Sequence, residues 1–146
     1  MYIERVKKAL DGIAEEVSEL APRRVIAKIP IDKVPEAVER ILTEFKNMVY
    51  VSQIVAVDHP DQKQFELNYN LWAIGHGMIT LRTRIPRDNP RIKTIINLIP
   101  GAKGHEQEVY DLFGVVFEGN PYLREAFLKP PELRGKYPLR KDYKLK

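Results

Sequence analysis

The chain contains no cysteine. That absence removes disulfides, cysteine nucleophiles, thiolate zinc sites and iron–sulfur ligation together. Serine is almost as scarce: it occurs only as Ser18 and Ser52, neither in a Gly-x-Ser-x-Gly elbow, which argues against a serine hydrolase. No apolar run approaches the roughly 20 residues of a membrane-spanning helix. The start, Met1-Tyr2-Ile3-Glu4-Arg5, carries acid where a signal peptide has an apolar stretch. Gly75-His76-Gly77 is too short for a dinucleotide or phosphate loop and runs into a strand pattern.

What is present suits a folded domain. The 146 residues are 44% hydrophobic and 30% charged, a size and balance that predict one core in a soluble, cytosolic protein. The net charge of +4 is unevenly placed. Residues 1–124 set 17 basic against 17 acidic side chains, whereas residues 125–146 hold seven basic and three acidic ones. A basic tail admits nucleic acid, an anionic membrane surface or an acidic protein partner.

The pattern predicts an α+β fold with a mostly antiparallel sheet, N-terminal helices, two short helices after the sheet and an extended tail. Ile3, Val6, Leu10, Ile13, Val17 and Leu20 recur at spacings of three and four, which reads as one helix ended by Pro22. Val25–Ile29 reads as a short strand. A second helix is capped by Asp32, with Pro35 in its first turn and Val38, Ile41, Leu42 and Phe45 inward, and stops near Asn47. Residues 49–57, 64–74 and 78–85 alternate as strands, separated by turns at Pro60-Asp61 and Gly75-His76-Gly77. Ile92–Ile99 suggests a short helix and Lys103–Phe113 another, closed by Gly114 as its C-terminal cap. Pro121, Pro130, Pro131 and Pro138 then impose an extended course. The division is an α+β domain over 1–124 and a basic tail over 125–146 ordered by a partner, since ordering such a segment costs roughly 1–2 kcal/mol per residue.

Three acids, Glu106, Glu108 and Asp111, fall on one short helix beside His105. They suit acid–base work or a metal site shared with that histidine. They equally suit helix N-terminal charges coupled to nearby cations, above all those of the tail. His59 and His76 lie in turns. Arg82, Arg84, Arg87 and Arg91 make a basic stripe, read as a solvated strand face because it lacks the exposed aromatics of an RNA-binding sheet.

The run Glu106-x-Glu108-Val109-Tyr110-Asp111-Leu112-Phe113-Gly114-Val115-x-Phe117-x-Gly119-x-Pro121-x-Leu123-Arg124, followed by Tyr137-Pro138-Leu139-Arg140-Lys141-Asp142-Tyr143, resembles the signature of the respiratory-chain NADH dehydrogenase 30 kDa subunit family. That family comprises small subunits of complex I and of related membrane-bound hydrogenases and formate hydrogenlyases. The resemblance is specific over about residues 85–143 and covers only the order of elements before that. Gln107 stands where the family often has arginine, Tyr137 where it often has histidine, and Glu125 where a second arginine commonly follows Arg124. These departures resemble the hydrogenase-like and archaeal branches.

The resemblance implies a subunit with no cofactor of its own, on the cytoplasmic side of the membrane and peripheral to it. It would pack on a large subunit that contributes a quinone cavity or carries a nickel–iron centre, with iron–sulfur clusters in its neighbours. Glu106, Glu108, Asp111, Phe113, Gly114, Pro121, Leu123, Arg124, Pro138, Leu139, Arg140, Lys141 and Asp142 would then serve structure and the partner interface, with no catalytic residue. Two other readings stand beside this one: acids that titrate in energy coupling, and a stand-alone nucleic-acid-binding domain.

Overall fold

Alternating side chains in three consecutive strands build the centre of the molecule. In the computed structural model, which describes residues 2–124 and 129–142, these are β3 (Val49–His59), β4 (Gln64–Ala73) and β5 (Gly77–Pro86). Phe65, Leu67, Tyr69 and Leu71 of β4 lie beside Ile85, Thr83, Leu81 and Ile79 of β5 and point to one face. All eight are buried. Fully burying a Leu, Ile or Phe contributes roughly 1.5–3 kcal/mol relative to exposure, so this face dictates the register.

Two further strands, β1 (Glu16–Ala21) and β2 (Arg24–Lys28), complete a five-stranded sheet in the order β1-β2-β5-β4-β3. Every pairing is antiparallel except β2 with β5. The crossover between β2 and the central strands carries helix α2 (Val34–Glu44), whose Val34, Ala37, Val38 and Ile41 are buried at the three- and four-residue spacing that sequence predicts. Pro35 sits in its first turn, but the residue at the N-cap is Lys33 and no side chain caps the helix, so Asp32 does not have the expected role. The helix ends at Glu44, and Lys46 and Asn47 turn the chain through positive φ.

The N-terminal region departs from expectation. Helix α1 covers only Tyr2–Ala9, and the remainder of the apparent helix, from Glu16 on, is strand β1. Gly12 explains the break: its φ of 79° is left-handed, which ends the helical path after Leu10. Pro22 accordingly lies in the β1–β2 hairpin turn, and Leu20 is exposed on the edge strand.

After the sheet, residues 92–99 form no helix. Arg91–Lys93 is a strand, β6, paired in parallel with β7 (Val116–Glu118), and a turn follows. A 3₁₀ turn at Pro100–Ala102 leads into α3 (Lys103–Phe113). Gly114 closes α3 in the left-handed conformation at φ 82°, donating its N–H to Tyr110 O, as expected of a C-terminal cap. The apolar sides of α1, α2 and α3 all join one core with the inner face of the sheet.

Candidate functional site

Helix α3 buries a stripe that is only partly apolar: Glu106, Gln107, Val109, Asp111 and Phe113. Phe113 meets the edge of Phe65 at 5.9 Å between ring centres. The three polar side chains each find partners outside the helix, as burial demands. Glu106 accepts hydrogen bonds from Thr94 Oγ1 (2.5 Å), Ile95 N (3.0 Å) and Asn120 Nδ2 (2.9 Å). It therefore ties the segments flanking β6 and β7 to α3. Burial pushes its carboxyl above the usual range, against the pull of the three donors.

Gln107 holds the backbone of Arg124 from both sides, donating to its carbonyl at 2.6 Å and accepting from its N–H at 2.8 Å. Asp111 accepts from Lys129 N at 2.9 Å and lies 3.9 Å from Lys129 Nζ. That ammonium also donates to Lys136 O at 2.8 Å and sits 4.5 Å from the centre of the Tyr137 ring. One helix face thus anchors three successive points of the chain after β7. The expected coupling of the acids to the basic tail is present in the Asp111–Lys129 pair.

The next residues close over the end of α3. Leu139 N donates to Leu112 O at 3.3 Å, and Arg140 Nε donates to Phe113 O at 2.8 Å. A guanidinium on the last helical carbonyls satisfies orphan acceptors and suits the negative end of the dipole. Arg140 also lies over the rings of Tyr137 (4.6 Å) and Phe65 (5.1 Å). Gly114 gives this packing its space: a Cβ there would come within 2.9 Å of both Arg140 Nη2 and the Tyr137 ring.

A second joint lies at the end of β3. Asp58, 3% exposed, accepts two hydrogen bonds from Arg87 (2.7 and 3.0 Å) and one from Lys141 N (2.8 Å). Arg87 also reaches Asp142 at 3.0 Å. Burial alone would raise the Asp58 carboxyl. The Arg87 hydrogen bonds, the Lys141 N–H and the charges of Arg87 and Arg140 outweigh it and hold the group below its usual value. The Arg87 guanidinium is raised in turn, first by its hydrogen bonds to Asp58. Arg140 is lowered by burial and then by the neighbouring Arg87.

The structure brings Phe113, Gly114, Leu139, Arg140, Lys141 and Asp142 together around the Asp58–Arg87 pair, with Pro138 half-buried beside them. Glu108 is separate: it is exposed beside a cleft of about 210 Å³ lined also by Gln53 and Leu139. Pro121 and Arg124 are exposed and Leu123 half-buried in the turn after β7. Glu106 and His105 do not meet as metal ligands, and no group of three His, Cys, Asp or Glu that could hold a metal occurs among the described residues. Glu125 lies outside the described residues. No helix among the described residues is long and apolar enough to cross a membrane.

Asp58 is the residue that the sequence pattern fails to single out, and its partner Arg87 is read there only as part of the basic stripe. Arg87 does not belong to a solvated stripe, since it is turned inward onto Asp58. The signal was available in the strand register: Asp58 stands opposite Phe65, which stands opposite Ile85, and Arg87 follows two residues later with the same parity. The stripe is further broken because Arg82 and Arg84 both contact Glu66, at 3.6 and 3.1 Å.

Comparison with known proteins gives this arrangement a context. Residues 27–146 match the family model described as the respiratory-chain NADH dehydrogenase, 30 Kd subunit. The match reaches well ahead of the residue 85 region in which the motifs lie. A subunit of the F(420)H(2) dehydrogenase of Methanosarcina mazei is 32% identical over 84% of this chain and 77% of its own length. NADH-quinone oxidoreductase subunit 5 of Thermus thermophilus is 40% identical over 66% of this chain, which spans only 51% of that relative. Among solved structures, a chain of the archaeal membrane-bound sulfane sulfur reductase superposes with a TM-score of 0.87 at 32% identity, covering 97% of this chain and 85% of that one.

Proposed function

The chain belongs to the respiratory-chain NADH dehydrogenase 30 kDa subunit family, and from that premise we propose that it is a docking and assembly subunit of a complex-I-related membrane-bound oxidoreductase. It sits in the hydrophilic arm, on the cytoplasmic side, and packs on the large catalytic subunit. It supplies no cofactor; iron–sulfur clusters and, in hydrogenase-type assemblies, a nickel–iron centre belong to its partners. The observation that carries this reading is that the motif residues by which the family is recognised are engaged in holding the chain's own C-terminal segment. Arg140, Lys141 and Asp142 meet Phe113, Asp58 and Arg87. Motifs spent in this way shape a surface.

Glu108, Pro121, Leu139 and Lys141 are motif residues whose side chains lie exposed at the surface, where a partner would meet them. The experiment is isolation of the parent complex from cells carrying a tagged chain. Recovery of a large oxidoreductase subunit in equal amount is the expected result, and Arg140→Ala is expected to reduce that recovery before it alters turnover per assembled complex. Full assembly of the Arg140→Ala complex with lost turnover would overturn the scaffold reading.

One observation favours a second reading, in which the chain takes part in energy coupling. Glu106 is fully buried with a raised carboxyl and three neutral donors, a group able to change protonation during turnover. Replacement by glutamine in the intact complex tests it through the pH–rate profile. An unchanged profile removes the idea.

A further inference from the structure

The five-stranded sheet is covered on one side only among the described residues. The described helices bury their apolar residues in the core on the face of Leu67, Leu71 and Leu81. The alternate residues, Glu66, Asn68, Asn70 and Trp72 of β4 beside Arg84, Arg82, Thr80 and Met78 of β5, point the other way.

That bare face is ordered as solvated strand faces seldom are. Thr80 Oγ1 donates to Asn70 (2.7 Å), Arg82 Nε to Asn68 (2.8 Å), Asn68 Nδ2 to Glu66 (2.9 Å) and Arg84 Nη1 to Gln62 (2.6 Å). Glu66 and Asn68 are consequently only 9% and 8% exposed, although no layer of described residues lies above them. Burial would raise the Glu66 carboxyl, but Asn68, Arg82, Arg84 and His59 hold it below its usual value. Side chains fixed in advance lose little rotamer freedom on binding.

The other end of the face is apolar. Tyr50, Trp72 and Met78 stand in one row across β3, β4 and β5, and Met48 and Ile74 are exposed beside them. Tyr, Trp, Met and Arg are the side chains enriched where proteins meet. Three strands of about ten residues, at ~3.3 Å per residue and ~4.8 Å between strands, present roughly 500 Å² in projection. The shorter strands β1 and β2 extend this face toward the ~800 Å² per partner of a stable interface.

Charge indicates the kind of partner. Arg24, Lys28, Arg82 and Arg84 share this face with two carboxylates, Glu16 and Glu66, to which Lys28 and the two central arginines are already paired. A cleft of about 610 Å³ opens where β2 leaves β5, lined by Glu15, Lys28, Pro30, Ile31, Arg82 and Arg84, so that three cations there outnumber one carboxylate.

We propose that this bare sheet face is a docking surface, separate from the C-terminal motif, for a protein subunit that sets carboxylates against Arg82 and Arg84 and an apolar patch over Tyr50 and Trp72. The inference rests on the reading of the chain as a subunit of a larger assembly. The test places a photo-crosslinking residue at position 50 of the tagged chain and irradiates the purified complex. A crosslink to a different subunit is expected, and Arg84→Glu is expected to lower retention of the chain in that complex roughly ten- to thirty-fold under a salt wash. A crosslink to a second copy, or none in a complex that contains the chain, overturns the docking surface and leaves the assembly role standing. A chain recovered free of any complex overturns both.

Discussion

Asp58 and Glu106 are both carboxylates removed from water, and both accept three hydrogen bonds from distant parts of the chain. Their charge is settled in opposite ways. Asp58 faces the Arg87 guanidinium and is held ionised, whereas the partners of Glu106 are a hydroxyl, a backbone N–H and an amide, and its carboxyl is raised. The ionic joint holds a segment that reaches across the surface from α3, and the neutral one holds loops against the core. A guanidinium keeps a joint ionised over a wide pH range; uncharged donors leave its protonation to burial.

The largest expected effect comes from breaking the ionic joint. Asp58→Ala leaves Arg87 half-buried with only the exposed Asp142 and strips Lys141 N of its acceptor. A loss of about 3–5 kcal/mol is expected in urea unfolding, with faster amide exchange over residues 139–142. Unchanged exchange there would mean that the segment is held without Asp58.

A smaller effect separates the two carboxylates by sign. The depressed Asp58 contributes stability above the ordinary carboxylate pKa, lost as pH falls through its lower folded value. The raised Glu106 works the other way: the folded protein retains its proton longer, so stability falls as pH rises from the ordinary carboxylate value through the folded one. Glu106→Gln is expected to flatten that fall while costing about 1–3 kcal/mol, because an amide nitrogen then faces Ile95 N. Unfolding measured across a pH series reads both, and an intact slope in the variant would assign it to another group.

The smallest effect tests how far the ionic joint extends. The Asp142 side chain is 63% exposed and Arg87 keeps Asp58 without it. Asp142→Asn is expected to change stability by no more than about 1 kcal/mol, and less at high salt. A loss as large as that of Asp58→Ala would show that Arg87 depends on both acids equally.

How much of this could be read from the sequence depended on the reach of each interaction. Strands β3, β4 and β5 were legible because Phe65, Leu67, Tyr69 and Leu71 declare their face within seven residues. Helix α2 and the Gly114 cap were legible for the same local reason. The stretch from Ile3 to Leu20 misled because Val17 and Leu20 continue the three-and-four spacing past Gly12, although β1 is held by pairing with β2. Ile92, Ile95, Ile96 and Ile99 misled likewise: all four are buried, but in a strand and a turn. Among the acids, Glu106 and Asp111 turn inward and Glu108 outward, a rotation that the sequence pattern did not specify. Asp58 was invisible because its partners lie 29 and 83 residues away.

That last separation orders events during synthesis. Ribosomes add roughly 5–20 residues per second, so residue 141 emerges about 4–17 s after residue 58. The sheet and α3 are translated and able to fold while Asp58 still lacks its third donor, and the surface around Arg140 is finished only once residues 137–142 have followed. A nascent chain that stalls before residue 140 would present a folded sheet without the completed surface beside α3, and it would be distinguishable from a finished one by that difference alone.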